Sequence, residues 1–481
     1  MGFNFFNINR MIARKIAYNV VFNTFAKSLS TALALVGIGF ITRYLGEGGF
    51  GDYATVLAFF AFFSAIADLG LYSVATREIS RDGAKADKII GNVFALRIII
   101  SLVVLALTPI LISFLPYAEN VKIGVMLSAV AFVFSSSYMV LNGVFQKNLA
   151  MDKVAMAELL GKIIQVGVII LAVNSDLGFK TIVLAMVLAM ISNFVLVFLL
   201  SRKYLRFKLQ FDFDYWKKFL KMSIPMGASV IITFLYFKMD TILLSILRES
   251  EDVGIYNVGY KIIETITFFP SMIVGLTLPL TSKYIFSNKK KFQKISDKTF
   301  KIFVLLIVPI AIGIFLLAND IIGLIGGEGF SESANVLRVL VFALLFIFFG
   351  NFFNNILLAG NLQKKLMKAL IFCAVFNIVA NLIFIPIYSY MGSAVISVIT
   401  EGLVVTLTSI IAFKQLGYRP KDSGVLKFIL SGAIMALFLC VFRELNFFLL
   451  IILSGVVYFI ALYLTRAITK EEILMVMKKQ V

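Results

Sequence analysis

The chain is 481 residues long, and 60% of these residues are hydrophobic whereas only 15% are charged. A soluble domain carries roughly 25% charged residues, so this chain lacks the polar surface of a soluble globule and is expected to lie in a lipid bilayer. Its net charge of +19 does not indicate nucleic-acid binding, because Lys and Arg occur in short clusters between apolar runs instead of on one broad basic face.

A spanning helix needs about 20 mostly apolar residues, and the sequence contains about fourteen such runs. In chain order they lie near residues 19–43, 52–76, 89–115, 121–145, 155–174, 179–200, 219–247, 253–285, 299–325, 334–358, 367–388, 391–413, 425–442 and 446–465. The predicted fold class is therefore an all-α integral membrane protein.

Most of the positive charge falls on one set of the loops between these runs. The opposite loops hold only Arg43, Lys122, Lys180, Arg248, Arg338 and Arg443. Cytoplasmic loops carry the excess of Lys and Arg, so we expect a multi-pass protein of the cell membrane with both termini in the cytoplasm. The longest cytoplasmic link, about 201–218, contains the only tryptophan, Trp216. Its mixture of cations and aromatics predicts a segment at the headgroup level.

A short motif recurs at the start of two spans, as Phe50-Gly51-Asp52-Tyr53 and as Val253-Gly254-Ile255-Tyr256. Six spans separate the two copies, and an even number gives both halves the same topology, related by an axis along the membrane normal. The repeat predicts an N-terminal lobe of helices 1–6 (1–203) and a C-terminal lobe of helices 7–12 (204–415). Two peripheral helices and a cytoplasmic tail follow in 416–481.

Five cations lie within the predicted spans, at Lys27, Arg97, Lys162, Lys238 and Lys261. An ionisable residue inside a spanning helix is costly and usually faces the bundle interior or a water-filled cavity. If the five converge, they form a cationic cavity between the two halves that suits an anionic group such as a phosphate. They are the predicted substrate-binding residues.

Each of these cations also has a structural interpretation. Lys27 and Arg97 lie close enough to the cytoplasmic side to extend their charged ends towards it. Lys162 and Glu158 are one turn apart and could pair along their own helix. Lys238 and Asp240 are two residues apart and point in nearly opposite directions, so at most one faces a shared cavity. We assign Lys238 to the cavity and Asp240 to a gate or packing contact.

Three carboxylates inside the spans are candidates for coupling transport to an ion. Glu264 and Glu401 lie well inside their helices, and Asp68 is the third, unless it only pairs with a neighbour. Lys261 and Glu264 share a helix face and are the deepest of the charged residues. The chain has no histidine, so coupling to H⁺ would use a carboxylate or lysine with a shifted pKa, and Na⁺ is the other candidate ion. The sequence predicts no metal site and no cofactor.

Several segments resemble the polysaccharide-export flippases, the Wzx-like branch of the multidrug/oligosaccharidyl-lipid/polysaccharide exporter superfamily. They are KMDTILLSIL (238–247), EDVGIYNVGYKI (251–262), GGEGFSESANVLRVL (326–340) and NNILLAGNLQKKL (354–366). The resemblance implies two six-helix lobes that work by alternating access. It also implies a polyprenyl-phosphate-linked or polyprenyl-diphosphate-linked oligosaccharide as substrate, for surface polysaccharide or glycan synthesis. We expect a monomer whose partners are this substrate and membrane lipid, with no nucleic acid.

Other functions are open at this point. A lipid II-type flippase shares the helix number and the cationic cavity. A multidrug exporter of the superfamily usually has an acid in its first helix, where this chain has Lys27 and no acid between Asn19 and Gly46. A membrane-embedded glycan polymerase needs acid–base or metal-binding residues on a sizeable loop, and the loops here are too short. A structural scaffold would not need five cations inside the membrane, so the sequence favours a transporter over an enzyme.

Overall fold

The computed structural model describes residues 2–421 and 424–467, and its regular structure there is helical. The α-helices are α1 Gly2–Asp68, α2 Leu71–Ile79, α3 Ala86–Ser113, α4 Glu119–Lys147, α5 Met151–Asn174, α6 Gly178–Ser201, α7 Phe213–Leu247, α8 Ser250–Ile266, α9 Phe268–Tyr284, α10 Lys289–Leu316, α11 Ala318–Ile325, α12 Ser333–Ala359, α13 Gln363–Leu416, α14 Val425–Val441 and α15 Phe447–Leu464. A 3₁₀ helix covers Glu328–Phe330.

Eleven helical segments of the described chain are long and apolar enough to cross a bilayer. Two of them contain a residue with a positive φ in their interior, Gly46 at 68° in α1 and Ser389 at 48° in α13. The apolar part of α1 is 48 residues long, which at 1.5 Å per residue is about 72 Å, roughly twice a bilayer core. α1 and α13 therefore each supply two consecutive spans. With the shorter apolar helix α14, every predicted span has a helical counterpart, and the all-α membrane fold is confirmed.

Three of the predicted runs are interrupted. The run 52–76 divides at Leu69 and Gly70, between α1 and α2. The run 253–285 divides at Thr267 between α8 and α9. Pro270, three residues further on, has no N–H, and its ring crowds the carbonyl of Ile266. The run 299–325 divides at Leu317 between α10 and α11, although the Leu317 N–H still donates to the Gly313 carbonyl at 2.9 Å.

The link before α7 packs against α3. The Asn92 amide donates to Gln210 Oε1 at 3.0 Å, and Asn92 Oδ1 accepts from the backbone N–H of Asp212 at 3.1 Å. Trp216 is 7% exposed and lies edge-on to the rings of Phe211 and Phe213. The Trp216 ring is part of an apolar core, and the headgroup level of this link stays a prediction.

The two copies of the Gly-x-Tyr motif provide a close helix crossing. A Cβ at Gly51 would lie 1.7 Å from the Ser250 carbonyl oxygen, and one at Gly254 would lie 2.1 Å from the Glu47 carbonyl oxygen. Only glycine permits backbones to approach this closely. The Ser250 hydroxyl donates to Asp52 Oδ1 at 2.6 Å across the same crossing. The turn that follows Gly46 is thereby held against the start of α8.

The chain forms two compact units, residues 1–254 and residues 255–481. The core of the first contains Leu71, Phe94, Phe145 and Phe219, contributed by α2, α3, α4 and α7. The second has a core in which α14 and α15 pack on α10, and the Tyr458 hydroxyl donates to the Leu305 carbonyl at 3.1 Å. Each unit is described separately below.

Candidate functional site

The first half of α1 exposes a polar face at membrane depth. This face follows the i, i+3, i+4, i+7 spacing of one helix side. It consists of Thr24, Lys27, Ser28 and Thr31, of which Lys27 and Ser28 are exposed. A second exposed face is apolar and contains Phe25, Leu29 and Val36. An exposed apolar face suits lipid, whereas an exposed lysine at this depth needs water or an anion.

α5 supplies a carboxylate that interacts electrostatically with Lys27. Glu158 is the carboxylate on which the charge of Lys27 acts. One turn further along α5, the Lys162 ammonium donates to Gln165 Oε1 at 2.7 Å. Gln165 in turn is hydrogen-bonded to Tyr53, the tyrosine of the first Gly-x-Tyr motif. Lys162, Gln165 and Tyr53 thus form a connected hydrogen-bonded chain in the first unit.

Arg97 and Asp68 form a buried ion pair. The Arg97 side chain is 1% exposed and the Asp68 side chain 10%, and the guanidinium also donates to Ser136 Oγ at 3.2 Å. Breaking a buried pair on one side typically costs about 3–5 kcal/mol, because a buried charge is left without compensation. The geometry therefore favours a structural role for Arg97 and Asp68, and it fits the alternative in which Asp68 pairs with a neighbour.

Lys238 and Asp240 lie in α7 and differ in burial. Asp240 is 4% exposed, whereas Lys238 is partly exposed. The apolar cluster of Ala58, Phe234 and Ile242 holds α7 on the second half of α1. Asp240 is thus in a packed helix interface, and Lys238 has the greater access to solvent.

In the second unit, Lys261 and Glu264 form an ion pair along α8. The Lys261 ammonium lies 2.8 Å from Glu264 Oε2, and the two side chains are 34% and 32% exposed. Pairs at this helical spacing contribute only about 0.2–0.5 kcal/mol in isolated helices. A ligand phosphate could therefore replace Glu264 as the partner of Lys261 at a small cost in free energy. Replacing Asp68 as the partner of Arg97 would cost much more.

Glu401 lies beside a buried polar network where the two halves of α13 meet. The Asn377 amide donates to Thr400 Oγ1 at 3.3 Å, and the Ser393 hydroxyl donates to Asn381 Oδ1 at 3.0 Å. Asn377 is 1% exposed, and its Oδ1 accepts no hydrogen bond from the described residues. Glu401 itself is 7% exposed. A buried carboxylate that directly follows a member of such a network is an arrangement that could accept a cation.

Sequence reasoning missed two features of this network and of the polar groups of α5. Glu158 was considered only as a partner for Lys162, whereas its charged neighbour is Lys27 on another helix. Tyr256 donates to or accepts from Ser397 Oγ at 3.2 Å. The Gly-x-Tyr motif was the available signal for Tyr53 and Tyr256, but it was interpreted only as evidence for a repeat.

The chemistry available at these positions is the reversible binding of an anion. Among residues 2–421 and 424–467, no group of three or more Cys, Asp or Glu residues could hold a metal ion. Lys27 is exposed and Lys261 is partly exposed, and each carries its charge within a spanning segment. Such charges attract an anion and release it without forming a bond.

The fold is that of multi-pass membrane transporters. A solved structure of the lipid II flippase MurJ in an inward closed conformation superposes with a TM-score of 0.76 at 15% identity, covering 94% of this chain and 100% of that chain. An inward-facing multidrug resistance transporter of the MATE family gives a TM-score of 0.61 at 14% identity, covering 83% of this chain and 99% of that chain. At such identities the similarity establishes the architecture alone.

The chain belongs to the polysaccharide biosynthesis protein family, whose model matches residues 16–285, more than half of the sequence. The MatE family model also matches residues 225–383. A probable low-salt glycan biosynthesis flippase of Haloferax volcanii, Agl15, is 21% identical over 85% of this chain and 87% of its own length. A putative O-antigen transporter of Shigella flexneri is 23% identical over 69% of this chain and 82% of its own length.

Proposed function

We propose that this chain is a flippase that moves a polyprenyl-phosphate-linked or polyprenyl-diphosphate-linked oligosaccharide across the cell membrane by alternating access. The observation that carries the proposal is the exposed Lys27 on the polar face of α1, in a spanning helix that has no acid between Asn19 and Gly46. A cation held at this depth without a carboxylate in its own span suits the phosphate of a lipid-linked sugar. Family membership and the names of the glycan flippase and O-antigen transporter relatives support the same substrate class.

Lys27, Lys162, Lys238 and Lys261 are the proposed phosphate-binding residues. Lys27 is exposed, and the other three are partly exposed. Arg97 is left out of this set, because its guanidinium is buried against Asp68. Glu158 and Glu264 balance Lys27 and Lys261 while no substrate is bound, so these two lysines are compensated in the empty protein.

Coupling to H⁺ or Na⁺ is the second part of the proposal. Glu401 is the preferred coupling residue, since it is buried and follows Thr400, the hydrogen-bond partner of Asn377. Glu264 is the alternative, because it would release Lys261 when protonated. We further propose a monomer with both termini in the cytoplasm, on the basis of the charge distribution between the loops.

A lipid II-type flippase is the second candidate, because the lipid II flippase structure superposes with a TM-score of 0.76. Both candidate functions move a sugar that is linked to a polyprenyl phosphate or diphosphate. They differ in the identity of the glycan. A cationic drug is disfavoured as substrate, since the exposed charge on α1 is a lysine and would repel it.

Deletion of the gene in its host tests the substrate class. We expect loss of a surface glycan together with accumulation of its lipid-linked precursor inside the cell, and rescue by the wild-type chain. Lys261→Gln should fold but deliver the glycan at least tenfold more slowly, and Lys261→Arg should retain part of the rate. Arrested peptidoglycan synthesis would favour the lipid II candidate, and increased drug sensitivity with normal glycans would overturn both.

A double variant distinguishes phosphate binding by Lys261 from a purely structural pairing with Glu264. If Lys261 only neutralises Glu264, then Lys261→Gln with Glu264→Gln should restore delivery, because neither charge is left unpaired. If Lys261 binds phosphate, the double variant should reach the membrane at a normal level and still fail to deliver. Full delivery by the double variant would remove Lys261 from the binding set.

A further inference from the structure

A basic cleft lies at one end of the second unit, where the start of α10 faces the segment 417–421. Its volume is about 1090 Å³. Among the described residues, seven cations and one carboxylate, Asp297, line it. The cations are Lys289, Lys290, Lys294, Lys298, Lys301, Arg419 and Lys421.

The segment 417–421 is fixed to α10 by neutral hydrogen-bond donors. Gln293 Nε2 donates to the Arg419 carbonyl at 3.0 Å and also to Asp297. Asp297 Oδ1 accepts from the Tyr418 hydroxyl at 3.2 Å and from the Lys421 backbone N–H at 3.3 Å. Burial raises the pKa of Tyr418, so its hydroxyl stays protonated as the donor. The carboxylate thus anchors the loop that brings Arg419 and Lys421 towards the lysines.

The lysines of α10 form a strip along one helix face. Lys290, Lys294, Lys298 and Lys301 follow steps of four, four and three residues, which place them on one side of the helix. Lys290, Lys294 and Lys298 are exposed, and no carboxylate of the described residues pairs with them within 4.0 Å. Like charges at this spacing destabilise a helix by roughly 0.2–0.5 kcal/mol per pair. An arrangement that repels itself is stabilised when an anion binds to it.

The position of the strip indicates which anion. From Lys290 to Lys301 the helix rises by about 16 Å, and the apolar part of α10 begins directly after Lys301. The cleft therefore extends from the membrane boundary outwards, through the layer that lipid headgroups occupy. Basic pockets between spanning helices at this level suit headgroups with one or more phosphates.

We propose that the cleft between α10 and segment 417–421 binds the phosphate groups of an anionic lipid headgroup. Two sources share this chemistry: a bulk membrane lipid such as cardiolipin, and a lipid-linked sugar carried on a polyprenyl diphosphate. The proposal is independent of the proposed transport function, because it concerns binding at the membrane surface and needs no movement of lipid across the bilayer.

Titration of the purified full-length protein in detergent tests the proposal. The ligands are cardiolipin, a polyprenyl diphosphate and, as the neutral control, phosphatidylcholine. The variant is Lys290→Gln, Lys294→Gln and Lys298→Gln combined. Its matched control is Lys217→Gln, Lys218→Gln and Lys221→Gln, which removes the same charge from exposed lysines at the start of α7.

We expect the cleft variant to bind at least one phosphate lipid tenfold more weakly or worse, and the control variant to stay within twofold of wild type. Loss for cardiolipin alone assigns the cleft to membrane lipid, and loss for polyprenyl diphosphate alone assigns it to the lipid-linked sugar. Loss for both shows a general phosphate site. Unchanged binding of both lipids by a folded cleft variant, or equal losses in the two triple variants, would overturn the proposal. Thermal melting of each variant confirms that it is folded.

Discussion

The close crossing of the two Gly-x-Tyr motifs can be tested by adding a single methyl group. In Gly51→Ala the new Cβ would lie 1.7 Å from the Ser250 carbonyl oxygen, whereas ordinary van der Waals contact begins at 3.4 Å. The obstructing atom is backbone, so no side chain can turn away to make room. The turn after Gly46 and the start of α8 must then move apart by roughly 1.5 Å.

Overpacking of this kind costs about 1–3 kcal/mol. The upper end applies here, because the displaced atoms are backbone and the Ser250–Asp52 hydrogen bond crosses the same contact. For a unit of this size, 3 kcal/mol corresponds to a melting temperature about 6–12 °C lower. Gly254→Ala should behave similarly, since its Cβ would lie 2.1 Å from the Glu47 carbonyl oxygen.

Gly167→Ala is the matched control, because a Cβ at Gly167 in α5 has no neighbour within 4 Å. A glycine-to-alanine change in an unobstructed helix is expected to stabilise by about 0.4–1 kcal/mol. The assay is thermal unfolding of the detergent-solubilised protein, followed as the fraction that remains monodisperse after heating. Equal melting temperatures for Gly51→Ala and Gly167→Ala would refute the close crossing.

Three further predictions concern the ion pair, the coupling residue and the topology. Arg97→Gln or Asp68→Asn alone should destabilise by about 3–5 kcal/mol, whereas Arg97→Met with Asp68→Leu should recover most of that loss; a double variant no more stable than the singles in thermal unfolding would contradict the structural role. Glu401→Gln should leave the protein folded and remove the dependence of transport on an imposed Na⁺ or H⁺ gradient in proteoliposomes, and an unchanged dependence would exclude Glu401 as the coupling residue. In a background without Cys373 and Cys440, cysteine at Asn120 should react with an impermeant thiol reagent on intact cells and cysteine at Ser287 should not, and the reverse pattern would invert the proposed orientation.

The spans and their order were predictable because the bilayer imposes a length and a composition that can be read locally. The Lys261–Glu264 pair was predictable for the same reason, since three residues on one helix fix the distance between the two side chains. The interruption at Thr267 also has a local cause in Pro270. In each of these cases the determining residues lie within one or two turns of each other.

The roles of Arg97 and Trp216 were not predictable, because they depend on residues on other helices. Arg97 meets Asp68 from α1 and Ser136 from α4. Trp216 is buried because the preceding link packs on Asn92 of α3. Hydropathy places a residue at a depth but leaves open whether it faces lipid, water or protein, and that choice distinguishes a structural cation from a binding one.

The motif 326–340 is another case in which the role of the residues depends on their contacts with other helices. It supported the family resemblance, and its residues serve packing: Phe330 is 1% exposed, and the Ser333 hydroxyl donates to the Ile255 carbonyl at 2.7 Å. Gly259 of α8 lies against the backbone of α12 at Ser333 and Leu337. A motif that is typical of a family can thus reflect helix packing instead of ligand binding.

Flipping by the purified protein in liposomes tests the central claim most directly. A fluorescent oligosaccharide on a polyprenyl diphosphate is incorporated into both leaflets, and a membrane-impermeant quencher reports the fraction that reaches the outer one. The account predicts that wild-type protein exposes nearly all of the label, that Gly167→Ala does the same, and that Lys27→Gln with Lys261→Gln is at least tenfold slower. Exposure of only the half that began in the outer leaflet, with wild-type protein folded in the liposomes and any required ion gradient imposed, would contradict it.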